Sequence, residues 1–144
     1  MAESFESAVA LVEGVLKKLG VDPATAKVRA EAGSTAWGLK RGSAQVLLLV
    51  NKSDRGVFFR VIAPVVKAPG ADKRGEVYTH LLELNAKSTR NAAFGLLNDN
   101  VVVLSERPVD GLDASEAEQI LKQVGALADY YDDELEKKFG LQKP

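Results

Sequence analysis

The sequence predicts an α+β domain on an antiparallel five-stranded sheet, with elements in the order α-β-β-β-α-β-β-α. Three observations predict it. Apolar residues recur at helical spacing at both ends of the chain. The β-branched and aromatic segments between them are joined by connections too short for a parallel crossover. Those segments also present apolar side chains on both parities.

Phe5, Val9, Val12, Leu16 and Leu19 form one helical stripe over residues 4–19; Gly20 supplies a stop and Pro23 ends any continuation. Three strands follow at roughly 27–39, 44–51 and 57–66, separated by Arg41-Gly42-Ser43 and Ser53-Asp54-Arg55-Gly56. Residues 67–71 make a loop. Asp72 is placed to cap a second helix, in which Val77, Leu81 and Leu84 align and which ends near Asn85. Strands at 92–98 and 101–106 flank Asn98-Asp99-Asn100, residues that tolerate the positive φ of a tight hairpin. Asp113, with Glu116 three residues on, starts a last helix whose stripe runs from Ala117 through Ile120, Val124 and Tyr131 to Leu135 and about Phe139. These elements make one domain over residues 1–139, with 140–144 expected to be a flexible tail.

Nineteen Lys plus Arg against twenty Asp plus Glu leave a net charge of −1. A neutral balance lacks the electrostatic footprint of a nucleic-acid or anionic-membrane binder, so the expected partner is a protein. The chain has no cysteine. Disulfides, thiolate nucleophiles and cysteine-ligated metals are therefore excluded, which fits a reducing compartment. Glu3 and Glu6 stand where a secretory signal needs a basic region, and no window approaches the roughly eighteen apolar residues of a membrane span. The expected location is cytoplasmic.

The sheet carries the most information. An antiparallel sheet covered on one side alternates apolar with polar residues, because its other side meets water. Here Val46, Leu48 and Val50 alternate with Leu47 and Leu49. In the next strand Val57, Phe59, Val61 and Val65 alternate with Phe58, Ile62 and Val66, interrupted by Arg60 and Pro64. Something must cover the second face. The candidates are the chain's own helices, a second subunit, or an extended or helical segment of a partner.

The run Leu81-Leu82-Glu83-Leu84-Asn85, then Phe94-Gly95, then Val101 to Arg107, then Leu112 and the long final helix resembles the YbjN-domain family. That family is similar in fold to the small dimeric chaperones of type III secretion. The resemblance spans essentially the whole chain and has no catalytic signature. It implies a secretion-chaperone-like fold, a homodimer, and peptide or protein binding through the sheet and first helix. It also brings the label of a sensory-transduction regulator. Secretion chaperones are often distinctly acidic, whereas this chain is nearly neutral.

No catalytic or metal constellation assembles. His80, the single histidine, lies at core spacing between Val77 and Leu84. Asp129, Asp132, Asp133, Glu134 and Glu136 read as a solvated helix face without calcium-loop spacing. Gly33, Gly38 and Gly42 lack a phosphate-loop context and read as bends. Ser34, Ser43 and Ser88 have no base nearby, and Lys73, Arg74, Lys87 and Arg90 read as solubilising charges. Trp37 is either core or an exposed anchor.

The expectation is a non-enzymatic module, chaperone-like or a regulatory adaptor, with no cofactor and a protein or peptide client. Its partner-binding residues are drawn from Trp37, Leu39, Phe58, Phe59, Ile62 and Val66. The alternative is a sensor domain that binds a small ligand between helices and sheet.

Overall fold

A computed structural model describes residues 4–144; residues 1–3, Glu3 among them, lie outside the described residues. Helix α1, Phe5–Lys18, begins at Ser4, whose Oγ accepts from the Ser7 amide while the Ser7 hydroxyl oxygen accepts from the Ser4 amide. This reciprocal cap satisfies two amides that the first turn leaves without partners. Ala8, Val12, Val15 and Leu16 turn inward.

The sheet has six strands, not five, because the expected first strand is divided. Asp22 accepts from the Ala24 amide and Pro23 occupies the first helical position of a single turn, α2, Pro23–Ala26. Strand β1, Lys27–Val28, follows directly. The chain then turns back through Gly33, at φ +82°, into β2, Ser34–Arg41. Glycine adopts that left-handed backbone without the Cβ penalty other residues incur, which is why the strand breaks there.

The remaining elements follow the expected order: β3 (Ala44–Ser53), β4 (Gly56–Lys67), α3 (Arg74–Lys87), β5 (Ala93–Leu97), β6 (Asn100–Pro108) and α4 (Ala114–Phe139). Helix α3 starts at Lys73, without a side-chain cap, and not at Asp72. The Lys73 ammonium instead donates to the Phe139 carbonyl at 2.7 Å, tying this corner to the end of α4. Asn98 and Asp99 take φ of 50° and 62° at the β5–β6 turn, the positive values their side chains tolerate. Asp113 caps α4 by accepting from the Glu116 amide at 2.8 Å.

All strand pairings are antiparallel, in the order β1-β2-β3-β4-β6-β5. Helix α4 lies across β2, β3, β4 and β6, with α1 beside it on β3 and α3 against β5. One strand parity, including Trp37, Leu48, Val50, Phe59, Val61 and Val103, joins the helices in a single core. The helices thus share one side of the sheet.

A bulge between Pro64 and Val66 changes the parity of β4. Val65 is the extra residue, and both Val65 and Val66 end in the helix-side core. Proline, which has no amide to donate, is tolerated beside such an irregularity. Residues 140–144, expected to be flexible, make specific contacts. Leu141 is 7% exposed, the Lys67 amide donates to the Gln142 carbonyl at 2.7 Å, and Lys143 reaches Asp133 at 2.8 Å.

Candidate docking face

The register fixes what lies on the side without helices. Ala36, Leu49, Arg60 and Glu106 stand level across four strands, as do Gly38, Leu47, Ile62 and Leu104, and Ser34, Asn51, Phe58 and Pro108. Val102 lies opposite both Pro64 and Gly95. The second apolar parity read from the sequence therefore lies on the sheet face without helices, where Ala36, Ile62 and Val102 are buried and Leu47, Leu49, Phe58 and Leu104 half-buried.

This face is concave. A cavity of about 700 Å³ opens on it, floored by Ala36, Leu47, Leu49 and Arg60, with walls from residues 29–31 and from Leu97 and Asn98. The two walls come from opposite ends of the strand order. Sheet twist raises diagonally opposed corners and so brings them round a common trough.

Arg60 and Glu106 are the charged residues level with the floor. The Arg60 side chain is 37% exposed, its Nε is buried, and among the described residues its one ion contact is Glu106 Oε2 at 3.7 Å, too long for a hydrogen bond. Ser34 donates to Asn51 at 2.7 Å, so those two polar groups satisfy each other.

The six residues singled out from sequence divide between the faces. Phe58 and Ile62 lie on the face without helices, Phe58 half-buried and Ile62 only 6% exposed. Trp37, Leu39, Phe59 and Val66 belong to the helix-side core, which removes them from an accessible surface. Trp37 is fully buried and its indole N–H donates to Glu13 Oε2 at 3.2 Å, tying α1 to the sheet. Helix α1 and the open face are on opposite sides, so a segment touching both must pass round a sheet edge. Sequence reasoning places Leu47 and Leu49 on the second parity and Arg60 as its interruption without singling them out, and it does not place Ala36, Val102 or Leu104 on this face. Extending the parity of Phe58 and Ile62 through the hairpin registers finds the β3 members. Those on β6 need the β4–β6 pairing, which no short connection announces.

His80 packs edge-on against Phe139 with ring centroids 5.4 Å apart. In the acidic run, Asp132 departs from a solvated face: it is buried, and Ser43 Oγ lies 2.5 Å from its Oδ2 and 2.6 Å from Asp129 Oδ1. The Ser43 hydroxyl, then the Ser43 amide, hold the Asp129 carboxyl below its ordinary value. This cluster fastens the β2–β3 turn to α4. Hydrogen bonds from Lys122 and Lys18 likewise lower Glu118.

Residues 8–137 match the YbjN family, described as "Putative bacterial sensory transduction regulator". The chain belongs to the YbjN family. A sequence comparison with curated proteins gives no significant match. Solved structures similar to this YbjN-family chain include the ExsC–ExsE complex, at TM-score 0.66 and 14% identity, covering 92% of this chain and 96% of that one. The HopA1–SchA chaperone–effector complex is similar at TM-score 0.58 and 11% identity, covering 86% and 91%. YbjN from E. coli is similar at TM-score 0.52 and 15% identity, covering 94% and 96%. At these identities the likeness shows a shared α+β fold. Among the described residues of this YbjN-family chain, no helix is long and apolar enough to cross a membrane.

Proposed function

We propose that this chain is a non-enzymatic protein-binding module of the cytoplasm, chaperone-like or a regulatory adaptor, that receives a segment of another polypeptide in the open trough of its sheet. The observation that carries this reading is the placing of α1, α3 and α4 on one side, which leaves Leu47, Leu49, Phe58 and Leu104 half-buried on the other, with Leu47 and Leu49 in the floor of the trough. Covering such side chains gains roughly 25 cal/mol for each Å² of apolar surface removed from water. The fold shared with a chaperone–effector complex supports the same reading.

A photo-crosslinking residue at position 49, compared with one at exposed Tyr130, tests it in the native cell. Discrete protein adducts from position 49, absent from position 130 and lost in Leu47→Asp, are expected. Equal labelling from both positions overturns the reading.

Two copies of the chain are proposed to meet along the apolar patch between α3 and β5. Leu82 on α3 and Leu96 on β5 are 68% and 52% exposed and lie side by side, an apolar patch that a second copy would cover. Light scattering is expected to give a dimer mass that Leu82→Glu reduces to that of the monomer. A monomer mass for the unmodified protein refutes this part.

A further inference from the structure

Resting on the reading that the trough receives a polypeptide, we propose that the bound segment sets an Asp or Glu carboxylate against Arg60, flanked by apolar side chains lying on Leu47 and Leu49. Arg60 stands in an apolar surround: Leu49 is its neighbour on β3, and Phe58 and Ile62 precede and follow it on the same face of β4. Glu106, level with Arg60 on β6, approaches the Nε edge at 3.7 Å without a hydrogen bond, and among the described residues the guanidinium has no hydrogen-bond acceptor. Water meets those donors while the trough is open. A segment that covers the trough removes this water, and a guanidinium stripped of water without acceptors is strongly unfavourable. The occupant must therefore bring an acceptor. A carboxylate matches the planar fork of donors with two parallel hydrogen bonds and matches the charge. The wall carries both Arg29 and Glu31, and Glu106 lies beside Arg60 without a hydrogen bond, so the unmet donors of Arg60, and not a net positive trough, call for the carboxylate.

The experiment selects a random dodecapeptide display library on the intact protein, on Arg60→Glu and on Leu49→Asp, each first shown by circular dichroism and thermal melting to be folded. On the unmodified protein, selected peptides are expected to carry Asp or Glu between apolar residues. On Arg60→Glu the acidic position is expected to be lost or replaced by Lys or Arg. A synthetic peptide of the selected sequence is expected to lose at least tenfold in affinity on Glu→Gln exchange, or on binding to Arg60→Glu. Apolar peptides without an acidic position, bound equally by the protein and Arg60→Glu but not by Leu49→Asp, overturn the carboxylate inference and leave the docking trough standing. Selection no stronger than on Leu49→Asp overturns the trough itself. If Arg60→Glu fails to fold, Arg60→Gln replaces it, and retention of the acidic preference in that variant counts against the proposal.

Discussion

Phe58 and Phe59 are neighbours in sequence on opposite faces of β4, and the two-sided architecture predicts different consequences for removing each. Phe59 is 1% exposed beneath the helices, with Val50 opposite it on β3. Phe59→Ala loses the transfer energy of the ring and leaves a cavity in the core, costing about 3–5 kcal/mol. Phe58 is half-buried on the face without helices. Its truncation loses only part of the roughly 1.5–3 kcal/mol of a fully buried side chain and encloses no void, so about 1 kcal/mol is expected. The difference of at least about 2 kcal/mol corresponds to about 6 °C in melting temperature for a chain of this size. Urea denaturation of both variants with unchanged m-values measures it, since an unchanged slope shows that the same surface unfolds. Equal losses at the two positions would mean that both faces are packed alike, and would refute the open face together with the function built on it.

Trp37 is expected to resist acrylamide quenching in the native protein and to become quenchable only on unfolding, because its indole is buried and bonded to Glu13; free quenching of the native protein would contradict its placement. Asp129 titrates below its ordinary value, so its contribution is present above the unfolded carboxylate range and lost as pH falls through the folded value. Ser43→Ala is accordingly expected to flatten the decline of stability as pH falls through and below the ordinary carboxylate range, measured by urea titration; an unchanged slope would sink that account. Removing residues 141–144 uncovers the pocket of Leu141 and breaks the Lys67–Gln142 bond, at an expected cost of about 2 kcal/mol. A truncated chain as stable as the whole one would show that the tail contacts add nothing.

The parts of the fold legible in sequence are those specified by local chemistry. The α1 stripe, the Asn98-Asp99 turn and the Asp113 cap each depend on residues within one turn of one another. Three departures come from interactions at longer range. The first strand splits because Gly33 reverses the chain, and its carbonyl then accepts from Lys52 across the sheet. The contacts of the tail, with Leu141 buried, depend on residues distant in sequence. Val66, assigned to the second face by simple alternation, returns to the core through the bulge at Val65. The candidate site was legible as a property, an apolar parity with nothing to cover it, before its residues were. Phe58 and Ile62 were found by alternation along one strand, whereas Leu104 and Val102 enter only through the β4–β6 pairing.

That pairing has a kinetic consequence. The β2, β3 and β4 strands close on one another through short turns, and β5 closes on β6 through two residues, so each group can form from contacts near in sequence. Only the β4–β6 seam joins them, and it must wait for α3 and β5 to be traversed before Ile62 can meet Leu104. Loop-closure entropy delays such contacts, so the two groups are expected to behave as separate cooperative units until the seam zips and α4 straddles it. Substitutions at Val61 or Val103 on the seam's helix side should then slow folding, while those in the β5–β6 turn chiefly speed unfolding. Stopped-flow chevrons of these variants distinguish this order from one in which the seam forms last of all, after the rate-limiting step.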